Sequence, residues 1–229
     1  MNTQLIEAVR GIVVEQFKSH GADHDFDHIL RVYNMAMFLQ SKEGGDADII
    51  ACAALLHDIS DHKLNGGIMN DGGRVSKEIL LKLGQTELFA DTVAKIVDGV
   101  SYKGASVADE AFSLEVQIVR DADRLDAMGA IGIARAFHFG GSRNRPFYLA
   151  DTAPKEHRTF EEYANDKSHT INHFHEKLLL LQDRLHTKTA IAEGQKRHDL
   201  MQEFVDAFYA DWHFMGYKES VTAKPGERY

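Results

Sequence analysis

Two adjacent ionisable residues, His57 and Asp58, follow the most apolar run of the chain, Ile49 to Leu56 (IIACAALL). A helix that is apolar on every side belongs in the centre of a fold, and a charge buried there without a partner is costly. The residues at its end therefore need partners, and a helix C-terminus favours a cation or a protonated imidazole nearby. Consecutive helical residues diverge by about 100°, so two neighbours serve one ion best where the helix is ending. Two further groups could join them. His20, His24 and His28 alternate with Asp23, Asp25 and Asp27. His24 and His28 are four apart and can share a face, and His28 is in register with Val32, Met35 and Leu39, which predicts that it points inward. The third group, Asp121-Ala122-Asp123-Arg124-Leu125-Asp126, interrupts an otherwise apolar helix, and periodicity alone does not choose between Asp121 and Asp123. Histidine is the commonest metal ligand and the usual acid–base group near neutral pH, so the chemistry open to these clusters is metal-assisted or proton-transferring.

The elements that must position them read as helices. The chain has 229 residues and only three prolines, Pro146, Pro154 and Pro225. Apolar residues recur at helical spacing in four sets: Leu5, Ile6, Val9, Ile12, Val13 and Phe17; Ile29, Leu30, Tyr33, Ala36 and Met37; Leu114, Ile118, Ala122, Leu125 and Met128; and Met201, Phe204, Val205, Phe208 and Trp212, the last set expected in the core. Gly44-Gly45 ends one helix and Asp46 can cap the next. Further breaks fall at Asn65–Gly73, Gly99–Ser106 and Gly140–Pro154. The expectation is an all-α fold of about eight to ten helices, with residues 1–215 as one domain and 216–229 as a polar tail.

Composition narrows the function. Asp+Glu number 35 against 26 Lys+Arg, a formal charge of −9, which argues against a nucleic-acid polymer as partner. One cysteine, Cys52, excludes a disulfide framework within the chain and a cysteine-based zinc cluster. The longest apolar run is far short of the ~18 residues of a membrane span, and no basic-then-apolar leader opens the sequence. A cytoplasmic protein is expected.

His28, then His57-Asp58, then an aspartate within Ala-Asp-Arg-Leu resembles the H…HD…D signature of the HD-domain metal-dependent phosphohydrolases. The surrounding words HDFDHILRVYNMA, AALLHDISDHK, VRDADRLDAMGAIGIAR and INHFHEKLLLL are similar to a bacterial single-domain subfamily in which some members are nucleoside triphosphate pyrophosphohydrolases. The resemblance implies an HD-domain helical bundle with additional C-terminal helices. It implies one divalent ion on His28, His57, Asp58 and Asp123, since Val97–Ala105 lacks the extra histidines of two-metal members. Two imidazoles and two carboxylates suit Mn²⁺, with Fe, Co, Ni, Zn or Mg as alternatives. It also makes Asp61, beside His57 and Asp58, the residue that orients or deprotonates the attacking water. Lys63, Lys103, Arg124, Arg143 and Arg145 are candidate clamps on phosphate, with His24, His173 and Lys177 as further substrate contacts. The implied activity is hydrolysis of a small phosphorylated substrate, a nucleoside triphosphate cleaved to monophosphate and pyrophosphate. Alternatives are a nucleotide phosphomonoesterase or phosphodiesterase, or a non-catalytic module that holds its metal structurally.

Other histidine groups carry less. His169 and His173 have zinc-compatible spacing, but no glutamate follows His169 in the arrangement a zinc protease needs, and helix packing is the expected role. Cys52, inside the apolar helix, is read as a small hydrophobe.

Overall fold

A computed structural model of the chain describes residues 1–17, 26–60, 71–100, 113–155 and 168–214. Among these residues the regular structure is helical throughout: α1 (Thr3–Phe17), α2 (Phe26–Glu43), α3 (Ala47–Leu56), α4 (Gly72–Lys82), α5 (Glu87–Val100), α6 (Leu114–Asp126), α7 (Gly129–Ser142), α8 (Thr170–Glu176), a 3-10 helix (Leu178–Arg184) and α9 (Lys188–Trp212).

Helix α3 is the axis. Every residue from Ile50 to Leu56 is buried, because α1, α2, α5 and α6 pack around it. Each of Ile50, Leu55 and Leu56 is worth about 1.5–3 kcal/mol of apolar burial. The helix begins as its sequence dictates: Gly44 and Gly45 take positive φ of 90° and 87°, and the Asp46 carboxylate accepts from the Asp48 and Ile49 amides. Burial, reinforced by the Asp48 and Asp46 charges, pushes the Cys52 thiol up to about 12, so it packs as a hydrophobe.

Helix α6 lies against α2, α3 and α5 and carries its own polar residues inward. Asp121, with no exposed surface, accepts from the His186 amide at 3.0 Å, from the Thr187 amide and hydroxyl, both at 2.8 Å, and meets the His186 Nδ1 at 3.0 Å. Thr187 is the N-cap of α9. One buried carboxylate thus fixes where the long C-terminal helix starts.

Two residues, Ala127 and Met128, separate α6 from α7, which opens at Gly129 with φ 69°. A side chain there would adopt a left-handed backbone at a cost of about 1–2 kcal/mol, and its Cβ would press on Arg197 at 3.1 Å. Gly129→Ala is therefore expected to lower the unfolding free energy by that amount in a urea titration, and an unchanged value would show that a side chain is tolerated at this bend.

Two expectations change. Met128 belongs to the α6–α7 junction rather than to α6, though it is buried. The C-terminal stripe is core only in part: Met201 and Val205 are buried, Phe204 and Phe208 are half-buried, and Trp212, packed on Phe208 and Tyr148, is still 47% exposed. The 216–229 tail lies outside the described residues.

Candidate metal centre

Three helices bring the predicted donors together. His28 sits in the first turn of α2 and is buried. His57 is the C-cap of α3, and the chain leaves the helix there, so His57 and Asp58 address the same point despite being adjacent. Asp123 comes from α6. The Nε2 atoms of His28 and His57 are 3.3 Å apart. The Asp58 Oδ2 lies 3.6 Å from each of them, and the Asp123 Oδ1 lies 3.6 Å from His28 and 3.9 Å from His57. His28, His57 and Asp58 each offer a donor atom within 4.8 Å of the others. Asp58 and Asp123 remain 23% and 33% exposed, so the cluster opens to solvent on its carboxylate side.

The hydrogen bonds behind the rings show what this arrangement accommodates. His57 Nδ1 donates to the Ala54 carbonyl at 2.9 Å, and His28 Nδ1 donates to the Asp126 carboxylate at 2.8 Å. Both partners can only accept, so the single proton of each neutral ring sits on Nδ1. Both Nε2 atoms then face each other as lone pairs, with two carboxylates beside them. Such a set is repulsive unless a cation or proton lies among the four. Two imidazole nitrogens and two carboxylate oxygens fit a divalent transition ion.

In the metal-free protein the proton has its own place. Burial disfavours the charged form of His28. The Asp126 and Asp58 hydrogen bonds and the charges of Asp58 and Asp123 outweigh it, raising His28 from 6.5 to about 9. A pKa raised on folding contributes stability that is complete below about 6.5 and is lost as pH rises through about 9. A cation entering the cluster must displace that proton. Calorimetric titration of the metal-free protein near neutral pH, in buffers of different ionisation enthalpy, is expected to show about one proton released per ion bound. Uptake of metal without proton release would contradict this.

Asp126 had no assigned role in the sequence. It is 5% exposed and, besides His28, accepts from Arg31 Nε at 2.6 Å, Arg31 Nη2 at 3.2 Å and Arg135 Nη1 at 2.5 Å. Burial alone would raise its carboxyl. The hydrogen bonds from His28 and Arg31, with the charges of His28 and Arg135, hold it well below the usual carboxylate range. The signal was present in spacing: Arg31 is one turn after His28, and Asp126 one turn after Asp123.

Asp121 is committed to the start of α9 and does not face the cluster. Arg124, 7% exposed, donates to the Arg184 carbonyl and lies against His186. It closes the seam between α6 and the 3-10 helix. Arg143 and Arg145 stand over the Phe139 ring at 4.3 and 5.7 Å, at the end of α7 about 20 Å along that helix from the Asp126 junction. His173 lies on α8 and Lys177 caps it, on an element packed against α7, the 3-10 helix and α9. His169 is buried and its Nδ1 accepts from the Asn172 amide, which is the packing role expected of it. His24, Asp61, Lys63 and Lys103 lie outside the described residues. Among the described residues, no helix is long and apolar enough to cross a membrane.

Comparison with known proteins agrees with this geometry. The HD domain family model matches residues 25–128, which span α2 through α6. The chain is 34% identical over 200 residues to YpgQ of Bacillus subtilis, covering 87% of this chain and 89% of YpgQ. Among solved structures, a Lactobacillus plantarum protein superposes with a TM-score of 0.81 at 33% identity, over 93% of this chain and 98% of its own. An HD-superfamily hydrolase of Bacillus thuringiensis superposes with a TM-score of 0.74 at 33% identity, over 93% and 99%. YpgQ crystallised in complex with ADP superposes with a TM-score of 0.70 at 30% identity, over 90% and 97%. The chain belongs to the HD-domain superfamily of metal-dependent phosphohydrolases. It is a metal-dependent hydrolase with an all-α fold, and its structural neighbours share the helices beyond residue 128 as well as the matched segment.

Proposed function

We propose that this hydrolase acts on a nucleotide and cleaves a nucleoside triphosphate to the monophosphate and pyrophosphate, with Mn²⁺ on His28, His57, Asp58 and Asp123. The observation that carries the proposal is the convergence of two lone-pair imidazole nitrogens and two carboxylates on one solvent-open point. When bound, a divalent ion there supplies Lewis acidity toward a phosphate oxygen and lowers the pKa of water. His28 and His57 hold their Nε2 lone pairs inward through the bonds at Nδ1. Asp58 and Asp123 balance the positive charge and keep the open side polar. Asp61, three residues beyond Asp58, takes the proton of the attacking water as its oxygen bonds to the α-phosphorus and the α–β anhydride bond breaks. Lys63 and Lys103 offset the charge of the departing pyrophosphate, and His24, His173 and Lys177 are the further contacts in this reading. The ADP bound to YpgQ supports a nucleotide as the ligand class.

The openness of the carboxylate side favours catalysis over a structural ion, which is normally enclosed by protein ligands. A panel of nucleotides assayed with several divalent metals, with products separated by chromatography, tests the proposal. Pyrophosphate and a nucleoside monophosphate in equal amounts are expected from a triphosphate. Orthophosphate as the sole phosphorus-containing leaving group would replace this reading with a phosphomonoesterase, and no turnover of any nucleotide would remove the nucleotide from it.

A further inference from the structure

The geometry points to Asp126 as a positioning residue that sets the tautomer of His28, with Arg31 and Arg135 holding the Asp126 carboxylate in place. The inference rests on the reading of His28 as a metal ligand and goes beyond it, because it concerns what makes His28 able to bind. A neutral imidazole carries one proton. If that proton sat on Nε2, the ring would present a donor to the cluster and could not ligate. An ionised carboxylate can only accept, so Asp126 at 2.8 Å from Nδ1 requires the proton to be on Nδ1 and leaves Nε2 as a lone pair. Partners of this type behind a ligating histidine fix ring orientation and raise ligand basicity.

The carboxylate is itself immobilised from two directions. Arg31, on α2 one turn beyond His28, engages both oxygens at 2.6 and 3.2 Å. Arg135, from α7, binds Oδ2 at 2.5 Å. Asp126 is 5% exposed, so water does not compete strongly for it. Arg135 lies beyond residues 25–128, the segment matching the family model. A helix outside that segment thereby bears on the orientation of a residue within it.

Asp126→Leu separates a tautomer-setting role from a merely structural one. The side chain keeps its approximate size but offers Nδ1 no acceptor, whereas an asparagine oxygen held by Arg31 and Arg135 would still accept there. The expected results are a loss of Mn²⁺ affinity of about 10–100-fold by calorimetry and, in the metal-free protein at alkaline pH with ¹⁵N-labelled histidine, a His28 proton no longer confined to Nδ1 but found on Nε2. Asp126→Glu, which keeps an acceptor-only group, is expected to retain the Nδ1 proton and most of the affinity. A variant Asp126→Leu with unchanged affinity and an unchanged tautomer, even if less stable, would overturn the inference. So would an Asp126→Glu variant as weak as the leucine variant. Should Asp126→Leu not fold, Arg135→Gln, which loosens the carboxylate without replacing it, is expected to weaken Mn²⁺ binding in the same direction by less, and no change would count against the inference. If the unaltered protein bound no divalent ion, the reading of the metal site would fail. The tautomer measurement would still decide whether Asp126 orients His28.

Discussion

His57→Ala is expected to abolish retention of the divalent ion and to lower hydrolysis by about a thousandfold, the consequence of losing about 4 kcal/mol of transition-state charge stabilisation. In the proposed site His57 is one of four donors, and it has no nearby substitute among the described residues, since Asp121 is turned to the start of α9 and Asp126 is bound behind His28. Folding should suffer little: the lost Nδ1 bond to Ala54 is worth about 1 kcal/mol, and α3 stays buried through Ile50–Leu56. Asp58→Asn should behave alike, because it removes a negative charge that a dication requires. Metal content by mass spectrometry, activity on the preferred nucleotide and a thermal melt check this together. A folded His57→Ala protein with full metal content and full activity would contradict it.

The largest effect on stability is expected at Asp121, two residues from a proposed ligand. Asp121→Ala strands two backbone amides and the Thr187 hydroxyl in a buried setting. Unpaired buried polar groups cost about 1–3 kcal/mol each, so a fall of about 3 kcal/mol or more in unfolding free energy is expected by urea titration for these three donors. The variant that remains folded should bind metal as the unaltered protein does. Asp123→Ala should do the reverse, leaving stability nearly intact while weakening metal binding, because its side chain is one-third exposed. An Asp121→Ala protein that kept its stability but lost its metal would exchange the roles of the two aspartates.

The helices and the cluster were legible for local reasons. Periodicity placed α1, α2, α6 and α9 because one face of each meets a common core, and the uniformly apolar IIACAALL could only be central. Asp46 announced the start of α3 through capping chemistry that operates within three residues. The choice of Asp123 over Asp121 was different: the spacing left it open, and only the family resemblance selected it. The structure gives the physical reason for Asp121, whose partners His186 and Thr187 lie 65 and 66 residues later. Long-range pairing of this type leaves no local trace. Asp126 left only a spacing, one turn after Asp123, and its partner Arg31 lies 95 residues away. Arg124 shows what spacing leaves out: its guanidinium donates to the Arg184 carbonyl, a partner 60 residues away. Trp212 stands in register with the apolar stripe and packs on Phe208 and Tyr148, yet keeps 47% of its surface exposed.

The most direct test of the central claim is anomalous diffraction at the manganese edge from crystals grown with Mn²⁺. One peak is predicted, bounded by His28 Nε2, His57 Nε2 and the carboxylates of Asp58 and Asp123, with open coordination toward solvent. A protein that hydrolyses nucleotides with Mn²⁺ yet shows no peak there, or shows it held by other residues, would contradict it.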